Sequence, residues 1–250
     1  MIKIVNLWKS YGKVQVLKGL NLEINNGETV VILGRSGVGK SVLLRQILGI
    51  EKPDRGSVEV NGINPATMTP KERFEHSQGL GMLFQSAALF DSMNVGQNVK
   101  FYLTQNQPQL SLKEMNDRAK EALKMVGLEG IEEKMPSDLS GGMRKRVALA
   151  RMIIYRPKIV LYDEPTTGLD PVTARQIDEL IIKTQRDLHP TSIVVTHDIR
   201  SALEIGDRLA FHHEGQIIHI APKYEFMHIQ DPLLHAFFEN AILTEDIWEN

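Results

Sequence analysis

A short glycine-rich loop is the first feature of this sequence whose residue types and spacing could do chemistry. It follows an apolar run at 29–33 and precedes a helix-like segment at 42–48. Its residues are Gly34, Arg35, Ser36, Gly37, Val38, Gly39, Lys40 and Ser41. Between a strand and a helix, such glycines let backbone N–H groups surround phosphates, while the lysine reaches the β- and γ-phosphate oxygens. The loop predicts a nucleoside triphosphate site, with the Ser41 hydroxyl as a ligand of Mg²⁺.

Two carboxylates end a second apolar run, at 160–162. At the end of a buried strand, Asp163 is suited to hold Mg²⁺ through water, and Glu164 to accept a proton from the attacking water. A solvated strand end is the alternative interpretation of this pair. The phosphate loop upstream favours a catalytic pair.

Ser140, Gly141 and Gly142 precede a strongly helical segment at 147–151. Ser140 is a good N-cap, so a helix begins here with free N–H groups and the positive end of its dipole. One triphosphate cannot easily use this anion site and the phosphate loop of the same chain. We therefore expect a homodimer in which this site closes on the nucleotide of the other copy. A glycine loop before a capped helix, without a ligand, is the alternative.

The elements that must position these residues follow from apolar patterning. Segments typical of strands occupy 3–7, 20–24, 57–60, 80–84, 158–162 and 191–196, and a hairpin pattern covers 208–220. Near-continuous apolar runs separated by helices are typical of a parallel sheet covered on both faces. A capping box at Ser111 and Glu114 opens a helix that Gly127 could end. We predict an α/β fold with a mostly parallel core sheet, an antiparallel β portion at the start, and a helical insertion.

Composition limits the remaining classes of function. The chain has 250 residues, 42% hydrophobic and 24% charged, with a formal net charge of −2 and no cysteine. Near-neutral charge gives no global attraction to nucleic acid or anionic lipid, so we expect no nucleic-acid partner. No apolar stretch approaches the ~20 residues of a membrane helix, and the start lacks a signal-peptide pattern. We expect a cytosolic chain whose connection to a membrane comes through a partner.

Six motifs occur in order: residues 34–41, 83–86, 139–143, 161–165, 168–170 and 196–198. Together they resemble the nucleotide-binding domain of an ATP-binding cassette (ABC) transporter. The resemblance covers about residues 1–222 and implies a P-loop ATPase domain that binds ATP and Mg²⁺. It also implies a helical subdomain inserted at about 86–150, and it leaves a helical tail at 223–250.

The resemblance implies roles for further residues. Tyr11 resembles the aromatic residue that stacks on adenine; Trp8 is the alternative, interpreted as a strand residue that packs on the core. Met143 departs from the glutamine that usually ends the 139–143 motif. A methionine side chain cannot donate a hydrogen bond, so we expect no hydrogen bond from that side chain to nucleotide or to Asp170.

Three polar residues complete the implied site. Gln85 resembles the residue that contacts Mg²⁺ and the attacking water and signals to the membrane partner. Asp170 would support the opposite site at the dimer interface. His197 would contact the γ-phosphate and position Glu164 and the water, so Glu164, His197, Gln85 and Lys40 form the expected catalytic set.

The stretch 82–99, together with 140–147, resembles the ATPase of Mla-type lipid transporters, which work with MCE-domain proteins. This implies phospholipid transport between bacterial membranes. The implied partners are a separate permease, an MCE-type protein and an accessory subunit, and the ATPase would lie peripherally on the cytoplasmic side of the inner membrane. The alternatives are another ABC transporter, such as a solute importer, and a non-transport ABC ATPase that acts on DNA or ribosomes.

Three segments keep open interpretations. The basic residues at 144–146 are predicted to form a solvated face rather than a nucleic-acid site. The apolar residues at 87–90 could line a groove for a short permease helix or pack into the helical core. Large apolar groups at 232–238 and 242–248 could pack on a partner or back on the same domain.

Overall fold

The computed structural model describes residues 1–35 and 37–242. In this part of the chain the strands are β1 (Ile2–Tyr11), β2 (Val14–Ile24), β3 (Thr29–Leu33), β4 (Arg55–Val60), β5 (Leu80–Leu83), β6 (Ile159–Asp163), β7 (Thr191–Thr196), β8 (Arg208–His213) and β9 (Gln216–Pro222). The helices are α1 (Lys40–Ile47), α2 (Pro70–Ser77), α3 (Val95–Asn106), α4 (Leu112–Met125), α5 (Gly141–Ile153), α6 (Pro171–Leu188), α7 (Ile199–Ile205), α8 (Lys223–Phe226) and α9 (Pro232–Ile242). None of the helices in these residues is long and apolar enough to cross a membrane.

The chain forms two compact units, one of which combines Met1–Leu80 with the chain from Pro190 onward. Its first sheet is antiparallel, with the strand order β2-β1-β4. Ile2 and Ile4 are buried while Lys3 between them is exposed. This alternation is typical of a sheet with one covered face. The predicted antiparallel portion is therefore confirmed, with strands longer than the sequence pattern indicated.

The same unit contains four further strands in the order β7-β3-β8-β9. β3 runs parallel to β7 and to β8, whereas β8 and β9 form an antiparallel hairpin. All residues of β3 and β7 are buried, as their continuous apolar runs require. Leu33 pairs with both Thr196 and Phe211, so the residues after these strands emerge at one edge of the sheet.

The second unit, Gly81–His189, contains β6 next to β5, and helices α3 to α6. α4 begins at the predicted capping box of Ser111 and Glu114. It buries Met115, Ala119, Ala122 and Leu123 at helical spacing. Gly127 follows the helix in the left-handed conformation, with φ 69°, as its predicted stop. Helices α3 and α4 and most of α5 fall within 86–150. That these residues form a separate inserted subdomain stays a prediction.

The described part of the predicted tail packs on its own unit. Phe237 of α9 lies 5.1 Å from Phe211 of β8 between ring centroids, and Leu234 is fully buried. Residues 243–250, which include part of the predicted apolar tail, lie outside the described residues. The predicted fold class, α/β with a mostly parallel sheet and an antiparallel β portion, is confirmed.

Candidate nucleotide site

The phosphate loop begins at Gly34, after β3, and continues into α1 at Lys40. Gly34 has no room for a side chain, because a β-carbon there would lie 2.5 Å from the carbonyl oxygen of His212. The Lys40 Nζ donates hydrogen bonds to the carbonyls of Gly34 (2.6 Å) and Arg35 (3.0 Å). The ammonium group thus lies against its own loop. Ser36 is outside the described residues, and Gly37 and Gly39 adopt positive φ angles of 80° and 102°.

His212 stands beside this loop at the end of β8. It is 1% exposed, and neither ring nitrogen has a hydrogen-bond partner among the described residues. Burial, followed by the charge of Lys40, lowers the pKa of His212 to about 4. His212 therefore lies neutral against the loop at physiological pH. It also lines a cavity of about 420 Å³, together with Val16, Val38 and Phe237.

Tyr11, the predicted adenine-stacking residue, is the last residue of β1 and is exposed. Its hydroxyl donates to the Glu51 carboxylate. Desolvation and that bond raise the pKa of Tyr11 to about 12. The Lys9 ammonium lies 5.5 Å from the ring centroid. Trp8 is half-buried in the same strand, and its indole N–H donates to Asn6 Oδ1 at 2.9 Å.

His197 follows β7 and is exposed. Because Leu33 pairs with Thr196, His197 and Gly34 leave the sheet at the same edge. Asp198, the next residue, caps α7 by accepting a hydrogen bond from the Ser201 N–H. The first unit therefore brings His197 and the phosphate loop to one edge of one sheet.

The second unit holds the two predicted carboxylates. Asp163 ends β6 and Glu164 follows it, and each is only 8% exposed. Glu164 has a φ of 47°, a left-handed conformation that costs a residue with a β-carbon about 1–2 kcal/mol. Its Oε2 accepts a hydrogen bond from the Thr167 hydroxyl at 3.0 Å. Such strain at a buried carboxylate is typical of functional sites.

Gln85 is exposed in the turn after β5. Ala87 and Ala88, just beyond it, have positive φ angles of 64° and 49°. The Arg151 guanidinium of α5 donates to the carbonyl oxygens of both residues, at 3.0 and 2.7 Å. The shape of this loop is thus fixed from α5.

Ser140 caps α5, as the sequence predicted: its Oγ accepts a hydrogen bond from the Met143 N–H at 3.3 Å. Ser140 and Gly141 are exposed, while Gly142 is buried. A β-carbon on Gly142 would lie 2.4 Å from Cγ2 of Thr173. Close packing on α6 therefore requires a glycine here.

Asp170 caps α6 by accepting hydrogen bonds from the N–H groups of Val172 (3.1 Å) and Thr173 (3.0 Å). The bonds from Thr173 hold the pKa of Asp170 below its usual range. A role at a dimer interface stays a prediction. Within its own chain, Asp170 has a structural function that its motif alone did not reveal.

The prediction that residues 144–146 form a solvated face is wrong for Lys145. Arg144 is exposed, but Lys145 is only 4% exposed. Its Nζ lies 3.4 Å from the carbonyl oxygen of Glu164. The spacing in the sequence could have predicted this burial, because Lys145 lies on the same face of the helix as the buried Gly142 and Leu149. The positive charge of the side chain favoured a solvated position instead, so the prediction missed the burial.

Comparison with known proteins identifies the family. A profile described as ABC transporter matches residues 17–167. The chain belongs to the ABC transporter family. It is an ABC ATPase, which binds and hydrolyses ATP.

The relatives of this ABC ATPase extend over nearly its whole length. It is 37% identical to the protein TRIGALACTOSYLDIACYLGLYCEROL 3, chloroplastic, of Arabidopsis thaliana, over 97% of this chain and 74% of that one. It is 36% identical to the probable ribonucleotide transport ATP-binding protein mkl of Mycobacterium leprae, over 94% and 68%. The similarity to Mla-type ATPases predicted from the sequence is confirmed.

A solved structure shares the fold of this ABC ATPase. It is the dimeric ATP-binding cassette MJ0796 in a post-hydrolysis state with ADP and Pi. The TM-score is 0.82 and the identity 34%, over 89% of this chain and 99% of that one.

Proposed function

We propose that this ABC ATPase powers phospholipid transport between bacterial membranes, together with a separate permease, an MCE-type protein and an accessory subunit. The observation that carries the proposal is the Mla-type pattern of residues 82–99 and 140–147. The Arabidopsis relative, named for a galactolipid, supports a lipid rather than a small solute. The ATPase would lie on the cytoplasmic side of the inner membrane as a peripheral subunit.

Two copies of the chain would bind two molecules of ATP between them. Residues 34–41 of one copy hold each triphosphate, and Ser140, Gly141 and Gly142 of the other copy close on it. The capped start of α5 supports this role, because free N–H groups and the helix dipole favour an anion there. The dimeric cassette MJ0796 supports the same assembly. Asp170 would lie at the interface, and Tyr11 would stack on adenine.

Ser41, Gln85 and Asp163 would hold Mg²⁺. Their donor set fits the ion, since hydroxyl, amide and carboxylate oxygens are hard ligands of the kind that Mg²⁺ prefers. Asp163 supplies the negative charge from the end of a buried strand. When bound, the ion neutralises charge on the phosphate oxygens.

The protein's own groups would then do the chemistry. Lys40 takes up phosphate charge, Glu164 accepts the proton of the attacking water, and His197 contacts the γ-phosphate and positions the water. The strained and nearly buried Glu164 supports a base whose direction is set by the fold. Closure of the dimer would move the permease, and hydrolysis would reopen it.

The permease would contact the loop after Gln85. Phe90 supports this, because the residue remains 40% exposed although its ring packs on that of Phe101 with a centroid distance of 4.7 Å. Ala87 is buried, so part of the 87–90 segment belongs to the packing of the helical unit instead. A short amphipathic permease helix is the partner that fits such an apolar edge.

A different transport function is the second candidate, supported by the mycobacterial relative named for ribonucleotide transport. Affinity purification of the tagged chain from native membranes in mild detergent separates the candidates. A multispanning permease with an MCE-domain protein and phospholipid is the expected result. A permease with a soluble solute-binding protein would establish an importer instead, and the absence of any membrane partner would favour the non-transport alternative.

A further inference from the structure

Lys145 is a buried lysine in α5, the helix that Ser140 caps. Its Nζ donates to two backbone carbonyls at 3.4 Å, that of Phe84 and that of Glu164. Phe84 immediately precedes Gln85. One ammonium group therefore contacts the main chain beside Gln85 and the main chain of Glu164.

Burying an ammonium group is costly unless it is paired and hydrogen-bonded. Burial lowers the pKa of Lys145 to about 8, and the carboxylates of Asp163 and Glu164 oppose that lowering. An apolar residue would fill this position on α5 without such a cost. The contacts of the charged group therefore explain why a lysine stands here.

The Glu164 carbonyl belongs to a strained turn. Its φ of 47° sets the direction in which the side chain leaves the strand end. The Thr167 N–H donates to this carbonyl at 3.3 Å, and Lys145 is a second donor to it. Two donors on one carbonyl hold the turn in a conformation that the residue would otherwise leave.

The chain around Gln85 is held from the same helix. Arg151 bonds the carbonyls of Ala87 and Ala88, and Lys145 bonds that of Phe84. Side chains of α5 therefore hydrogen-bond to the backbone on both sides of Gln85, at Phe84 and at Ala87. Of the two side chains, Lys145 is the one that also donates to the Glu164 carbonyl.

We propose that Lys145 is a positioning residue for ATP hydrolysis, tying the backbone beside Gln85 to the Glu164 turn. Its hydrogen bonds fix the segment around Gln85 and the Glu164 turn relative to each other. Because Lys145 belongs to α5, both segments are also connected to the 139–143 motif at the start of that helix. The proposal deepens the function proposed above and rests on the assignment of Glu164 as the base.

The test compares the single variants Lys145→Met, Lys145→Arg and Glu164→Gln in the full chain. It also includes the double variant that combines Lys145→Met with Glu164→Gln. Lys183→Met is the matched control, because Lys183 also donates to one backbone carbonyl, that of Met125, at 3.3 Å. Phosphate release gives kcat, titration with a fluorescent, slowly hydrolysed ATP analogue gives Kd, and thermal melting reports folding. If Lys145→Met does not fold, Lys145→Gln, which keeps an amide donor, replaces it.

We expect Lys145→Met to lower kcat by about 10–100-fold through misplacement of the reacting groups, with Kd unchanged. Lys145→Arg should recover part of the rate, and Lys183→Met should keep all of it. In the Glu164→Gln background, Lys145→Met should slow hydrolysis no further, because both changes remove one function. Normal kcat in Lys145→Met, or full additivity with a slow Glu164→Gln, overturns the role of Lys145 alone. Normal turnover in Glu164→Gln overturns the base assignment as well.

Discussion

Three structural properties hold the side chain of Glu164, the proposed base, in one direction: it is 8% exposed, its backbone is left-handed, and its carboxylate accepts a hydrogen bond from the Thr167 hydroxyl. Neighbouring residues therefore set its orientation before any substrate binds. The motif identified the residue as a carboxylate at a strand end. The backbone strain and the Thr167 bond came from the structure.

Glu164→Gln removes the carboxylate of the proposed base while keeping the size of the side chain. We predict hydrolysis slower by about 10²–10⁴-fold, because the attacking water loses its proton acceptor, while ATP still binds. Phosphate release and nucleotide titration measure the two effects separately. Glu179→Gln, an exposed position on α6, is the control. Near-normal turnover in Glu164→Gln would refute the assignment.

Tyr162, one residue before the carboxylates, is fully buried, and its hydroxyl has no hydrogen-bond partner within the described chain. An unsatisfied buried hydroxyl costs about 1–3 kcal/mol of stability. Tyr162→Phe should therefore raise the free energy of unfolding by about 1 kcal/mol. Denaturant unfolding checks this, with the exposed Tyr224→Phe as the control. A destabilised Tyr162→Phe variant would mean that the hydroxyl has a partner.

The packing of α5 on α6 depends on a missing β-carbon. In Gly142→Ala the added atom would meet Thr173 Cγ2 at 2.4 Å, so we expect a loss of about 1–3 kcal/mol of stability. At Gly141 the nearest atom to an added β-carbon is Leu169 Cδ2 at 3.6 Å, an ordinary contact. Gly141→Ala is therefore the matched control and should not lower stability. Equal denaturation midpoints for the two variants would contradict the predicted clash.

The end of β8 makes stability depend on pH. Burial and Lys40, with a smaller contribution from His213, lower the pKa of His212 from 6.5 to about 4. Below pH 6.5 the unfolded chain binds a proton at this residue that the folded chain does not. Stability is therefore complete above pH 6.5 and is lost as the pH falls toward 4, by up to about 3 kcal/mol.

His212→Leu should flatten this dependence, because the substituted residue binds no proton in either state. Unfolding free energies at pH 7 and pH 5 measure the difference. His189→Asn is the control, since His189 is exposed with a φ of 48° that asparagine tolerates. An unchanged difference between the two pH values in His212→Leu would show that His212 is not the group responsible.

At the scale of the whole molecule, the prediction concerns the C-terminal segment 223–250 and what it contacts. Phe226 and Leu234 are buried, so removal of 223–250 would uncover apolar core as well as any partner surface. Truncation after Ile242 keeps every residue that the structure describes as buried. If the tail packs on a partner ATPase or accessory subunit, this truncation should reduce co-purification of the complex while the melting temperature stays unchanged. Unimpaired assembly of the truncated chain would contradict a partner role for its last residues.

The sequence by itself determined the substrate class, the family, the fold class and most elements. These follow from local patterns: glycines beside a lysine and a serine, carboxylates after an apolar run, and caps such as Ser111 and Ser140. Each pattern acts within a few residues of chain, where backbone conformation and hydrogen-bonding capacity decide the outcome.

Only the tertiary structure decided which residues support those groups. Lys145 looked like part of a solvated basic run, yet the fold buries it against the carbonyls of Phe84 and Glu164. His212 had no motif, yet the parallel register of β8 and β3 places it beside Lys40. Both outcomes depend on pairings between distant parts of the chain. Burial and charge pairing are properties of those contacts, so residue type and local spacing do not reveal them.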